Sequence, residues 1–170
     1  MLAFLWSSRG TLQAAVVLVL FVLGLFRGAG PERWCSAIML GSLVVVRMEA
    51  AITSGFSTIW GLSAFERNDL GYLAIDLISF VALLAVALRA NRIYPLWMAG
   101  VQLTALLTHF ADRLTEVVPP LAYAVLNLST FYLAIIFLGA GLSAHIRRQK
   151  ESGPYSSWRT ASHHLRAPMP

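Results

Sequence analysis

Uncharged apolar stretches recur along the chain, each broken by a few polar residues, and their lengths are those of membrane crossings. Gly10 to Phe26 is 17 residues without a charge, and the preceding MLAFLW lets a helix extend past Arg9, whose long side chain can snorkel. Trp34 to Val46 supplies only 13 apolar residues before Arg47 and Glu49, about 20 Å of helix against a hydrocarbon core of about 30 Å. Continuing to Trp60 adds the missing length, sets a Trp at each end and carries Arg47 and Glu49 into the membrane. Leu70 to Leu88 is interrupted only by Asp76, and Arg89 to Arg92 then forms a very short polar turn. Such a turn forces the next helix to run antiparallel beside the last. That next helix covers Ile93 to Ala111, with Tyr94 and Trp97 at interface depth and Pro95 in the first turn, where its missing N–H costs nothing. After Pro119-Pro120, Leu121 to Leu142 gives a further 22 residues. The pattern predicts an all-α polytopic membrane bundle of five transmembrane helices with short loops, at about 10–26, 34–58, 70–88, 93–111 and 121–142. Residues 1–146 form the bundle, and 147–170, polar and without period, form a basic, disordered tail.

Composition agrees with this class and narrows it. Of the 170 residues 58% are hydrophobic and 12% charged, with a mean hydropathy of +0.69, where a soluble domain carries about 25% charge. Little chain is left for a separate soluble catalytic domain. The net charge of +5 would suggest nucleic-acid binding in a soluble protein, but the basic residues lie at helix ends and in the tail, as topology determinants do. With five spans and the C-terminus inside, nine Lys and Arg lie on the inner side: Arg27, Arg33, Arg89, Arg92, Arg147, Arg148, Lys150, Arg159 and Arg166. Arg9, Arg67 and Arg113 lie outside. Omitting the second span reduces the bias to eight against five, so the expected topology is N-out and C-in, in a bacterial inner membrane. Gly28-Ala29-Gly30 also offers the small residues of a signal-peptide cleavage site, but cleavage would leave Arg27 and Arg33 outside, against that bias.

The block ALRANRIYPLWMAGVQLTALLTHFA, from Ala87 to Ala111, with LAIDLISFVALLAVAL before it, resembles small uncharacterised multi-spanning bacterial membrane proteins. In these a helix ends in a short Arg-containing turn followed by a Pro-Leu-Trp start. The resemblance covers about a quarter of the chain. It implies the hairpin of the third and fourth helices and no activity.

Ionisable residues inside a span are costly, about 2.5–3.5 kcal/mol each at mid-helix, so they are paired or line a wet path. At 1.5 Å per residue, Arg47, Glu49, Asp76, Gln102, His109 and Asn127 gather in the middle-to-outer part of the bundle, and the inner part reads as almost purely apolar. Arg47 and Glu49 are two residues apart and point about 200° apart around their helix, so they cannot serve one partner together. The expected arrangement is an Arg47–Asp76 ion pair clamping the second helix to the third. The alternative is a site for a cation or proton, with Glu49 or Asp76 exchanging protons and Arg47 gating. His109 reads as a hydrogen-bonding interfacial residue, since a haem or metal would need a second ligand at its depth. His145 lies a membrane thickness away.

Other patterns carry no chemistry. Cys35 is the single cysteine and reads as a packing residue. Asn127-Leu-Ser129 matches a glycosylation acceptor but lies within a helix. Gly24-x-x-x-Gly28 and Gly139-Ala140-Gly141 admit close helix approach. No phosphate-binding, dinucleotide, nucleophile-elbow or zincin motif occurs, so no cofactor is expected. Arg147, Arg148 and Lys150 are placed against anionic lipid at the membrane surface. The function expected is that of a non-enzymatic small subunit or accessory factor whose partners are the bilayer and another membrane protein or a second copy. A small transporter or channel using the intramembrane polar group is the rival.

Overall fold

The computed structural model describes residues 2–60, 68–114, 120–153 and 158, with the side chains of 10–52, 70–110, 129–151 and Trp158. Among the described residues five helices follow one another: α1 (Leu2–Arg27), α2 (Gly30–Trp60), α3 (Asn68–Arg89), α4 (Tyr94–Leu114) and α5 (Pro120–Ser152). No strand occurs among the described residues. Among the described residues four helices are long and apolar enough to cross a membrane, over Gly10–Arg27, Gly30–Ile52, Leu70–Arg89 and Ser129–Glu151. The more polar α4 packs between α3 and α5, and these two contacts are the most extensive in the bundle. Successive helices pack side by side, and α5 closes the bundle against α1 and α2.

The two short connections at one end have local causes. Only Gly28 and Ala29 separate α1 from α2. Gly28 N–H donates to the Gly24 carbonyl at 3.0 Å, and any Cβ on Gly28 would run into that carbonyl and into Glu32. Glu32, in the first turn of α2, reaches back so that its Oε2 accepts from Ala29 N at 3.1 Å, half of a capping box. Arg33 Nε donates to the Gly28 carbonyl at 3.1 Å, supplying a donor to the frayed end of α1. At the α3–α4 turn Ile93 accepts from Leu96 N and Trp97 N at 3.1 and 3.4 Å, and Pro95 sits in the turn whose N–H groups have no helical partner.

The helices overrun the expected spans, α1 from Leu2 and α4 to Leu114 among them, and two of the differences have local causes. Helix α2 begins at Gly30, four residues before Trp34, because the Glu32 cap and Pro31 start it, and it runs unbroken past Arg47 and Glu49. Helix α5 continues through the basic cluster to Ser152, so Arg147, Arg148 and Lys150 are exposed helical residues and not the start of a separate tail. Gly153 then stops the helix at φ 70°, the left-handed conformation that glycine adopts freely and that commonly terminates helices. Residues 159–170, expected to be disordered, lie outside the described residues.

The core occupies the half of the bundle nearest these two turns. Val17, Cys35, Met39, Leu83, Met98 and Leu138 bring all five helices into it. Cys35 is buried there and forms no disulfide, as suits a packing residue. Facing outward, Phe26, Leu70, Ile78, Leu88 and Ile93 are all more than half exposed. Large apolar side chains over so much of a surface suit contact with lipid.

Candidate functional site

The intramembrane polar residues separate into groups that the sequence reading did not anticipate. Gln102 and His109 lie seven residues apart on α4, two helical turns, and therefore share one face. Asp76 of α3 sits between them. Gln102 Nε2 donates to Asp76 Oδ1 at 2.8 Å, and His109 Nε2 lies 2.9 Å from Asp76 Oδ2. Both carboxyl oxygens are engaged across the α3–α4 interface. His109 is 8% exposed and the Asp76 side chain 27%. One turn deeper along α3, Ser79 meets Ser42 of α2 with their hydroxyl oxygens 2.7 Å apart. Ser42 also donates to the Ile38 carbonyl at 2.8 Å, so its single proton is committed and Ser79 is the donor of the pair.

The expected Arg47–Asp76 ion pair is not formed. Arg47 Nη2 instead donates to the Gly10 carbonyl of α1 at 3.0 Å. The rotational setting of α2 turns Arg47 toward α1 and leaves Asp76 to α4. Glu49, two residues on, faces α3, where its carboxylate rests against the bare Cα of Gly71. The roughly 200° between the two side chains thus serves two neighbours. Asn127 is in α5, but its side chain lies outside those described.

A second polar group stands at the end of the bundle bearing the two short turns, where an apolar interior was expected. Glu32, fully buried, is ion-paired through Oε1 to Nη1 of Arg92, which lies in the α3–α4 turn. Arg92 Nη2 is 3.0 Å from His145 Nδ1 on α5. A guanidinium only donates, so Nδ1 is the acceptor and His145 carries its proton on Nε2 in this contact. One cation thereby links α2, the α3–α4 turn and α5, which are 60 and 53 residues apart in sequence. Trp158 closes over the group: its backbone bridges to Ala90 and its indole lies on Gly30, each two residues from a member of the Glu32–Arg92 pair.

Run lengths alone put Arg92 in the turn and His145 a membrane thickness from His109, and they give no sign of a partner for Glu32. The missed signal was topological. With short turns at 28–29 and 90–93, the start of α2, the α3–α4 turn and the end of α5 must meet at one end, and each brings a polar residue there. The expected small-residue contact is made within the chain: Gly24 lies against Ser36 across α1 and α2, and Gly141 against the Tyr94 ring across α5 and α4. Among the described residues no three His, Cys, Asp or Glu side chains converge to hold a metal ion. Comparisons with protein-family models, curated proteins and solved structures find no match.

Proposed function

We propose that this chain is a five-span bacterial inner-membrane protein, N-terminus outside and C-terminus cytoplasmic, acting as a non-enzymatic small subunit or accessory factor. The observation that supports this reading is how the polar groups inside the bundle are used. Asp76 is engaged at both oxygens by α4, Arg47 by α1, and Glu32 by the α3–α4 turn. Charges consumed in helix-to-helix contacts hold a shape. Helix α4 counts as the fifth span because its polar side chains Gln102 and His109 turn toward α3 and not toward lipid. The test is purification in mild detergent with mass measurement of the intact particle, followed by reconstitution into liposomes. A stoichiometric second protein or a defined self-assembly, without ion flux, supports the reading. A monomer whose liposomes pass protons or cations, with flux lost in Asp76→Asn, overturns it in favour of a small transporter.

A further inference from the structure

Asp76 and His109 make a pairing whose chemistry goes beyond a clamp. Gln102 Nε2 donates to Asp76 Oδ1 at 2.8 Å, and an amide nitrogen has no lone pair to receive a proton in return. Oδ1 is therefore held as an acceptor, and a proton on this carboxyl must reside on Oδ2. That atom is the one 2.9 Å from His109 Nε2. The geometry leaves one position for one proton, covalently on Oδ2 and hydrogen-bonded to Nε2, or on Nε2 and hydrogen-bonded to Oδ2. With the proton on Nε2 and Nδ1 bare the pair carries one negative charge; with the proton on Oδ2 the imidazole accepts at Nε2 and holds its own proton on Nδ1, and the pair is neutral.

We propose that Asp76 and His109 form a proton-exchange dyad within the bundle, with Gln102 as the positioning residue that directs the proton to Oδ2. The ligand is a proton from water, taken up at the more exposed Asp76 carboxyl and shared with the buried imidazole. Several charged or titratable groups surround it. Tyr72 lies one turn away on α3, and Glu49 of α2 rests on Gly71 beyond it. Arg47 of α2 is turned away to the Gly10 carbonyl. On α5, at similar depth, Thr130 is buried and Tyr132 is exposed on the outer face. Asp112 and Arg113, one turn past His109, lie outside the described side chains. The proposal concerns proton binding and is independent of whether the protein serves as a subunit or a transporter.

The test is pH-difference infrared spectroscopy of the full chain in detergent, from about pH 2 to about pH 9, which brackets ordinary carboxyl and imidazole titration. The expected result is a carboxyl band and an imidazole band that change together at one midpoint. Asp76→Asn should remove the carboxyl band and shift the midpoint of the imidazole band, His109→Gln should remove the imidazole band and shift the midpoint of the carboxyl band, and Gln102→Leu should keep both and shift the midpoint. Asp76→Asn keeps the shape of the side chain, and His109→Gln provides a second route should that variant aggregate. A titration in which each substitution removes its own band and leaves the midpoint of the other unmoved overturns the dyad. So does a spectrum with no pH-dependent band that Asp76→Asn abolishes. A Gln102→Leu variant identical to the parent overturns the positioning role.

Discussion

Arg92 is the residue on which the most distant parts of the chain depend. Its guanidinium is nearly sealed, 4% exposed beside a fully buried Glu32, and removing one member of such a pair leaves the other charge buried and uncompensated. Arg92→Leu and Glu32→Leu should therefore each cost about 3–5 kcal/mol, whereas the double replacement should recover much of the loss. Thermal unfolding in detergent across the four-variant cycle measures this, and a double variant as weak as the sum of the singles would show that the group does not act as a pair. Glycine provides a second contrast at this scale. Gly28→Ala drives a Cβ into the Gly24 carbonyl, which is backbone and cannot swing aside, while Gly41 and Gly100 have open space where a Cβ would stand. Gly28→Ala should thus destabilise by about 1–3 kcal/mol, as overpacking does. Gly100→Ala should be neutral or stabilising by up to about 1 kcal/mol from helix propensity. Equal melting temperatures for the two variants would refute the close approach of α1 and α2.

The end of α5 shows how one element closes on others. Gly153 halts the helix at φ 70°, and five residues later Trp158 lies on Gly30 and bridges Ala90. Its indole is half-buried against the core, so Trp158→Ala should cost about 1–2 kcal/mol, below the roughly 3–5 for a fully buried aromatic. Gly30→Ala, whose Cβ would strike the indole, should cost a similar amount in the parent and almost nothing once Trp158 is Ala. Additive losses in the melting temperatures of these variants would place the ring elsewhere. This contact also marks where sequence legibility ends. The helices and the α3–α4 hairpin were readable because run length and turn residues are local properties. The opposed directions of Arg47 and Glu49 were readable because helical periodicity fixes them. The partner of Asp76 was not, since depth along a helix can be counted from its ends while its rotation about its own axis depends on packing with neighbours. The spacing of Gln102 and His109, seven apart and facing the descending Asp76, was the one available clue to that rotation. The Glu32–Arg92–His145 group was obscured for another reason: each residue sits at a helix end, where a charge reads as solvated until the turns bring three such ends together.

At the scale of the whole molecule, the two short turns and the end of α5 share one face of the bundle, and so do Arg27, Arg33, Arg89, Arg147, Arg148 and Lys150, all exposed. Glu32 and Arg92 neutralise one another inside that face, so the exposed residues leave it strongly positive. Basic segments are retained on the cytoplasmic side and gain about 1 kcal/mol per residue from anionic lipid there. The proposed orientation rests on this basic face, and the proposed number of spans on α4. If α4 crosses, Asn91 and Thr115 lie on opposite sides; if it does not, they share one. Replacing Cys35 by Ser leaves a chain without cysteine, into which single cysteines at Asn68, Asn91, Thr115 and Lys150 can be placed and probed with a membrane-impermeant maleimide. Asn68 and Thr115 should react in intact cells, and Asn91 and Lys150 only after permeabilisation. Reaction of Asn91 and Thr115 from the same side would remove α4 as a span. Reaction of Lys150 in intact cells would reverse the orientation, because the basic face would then be external.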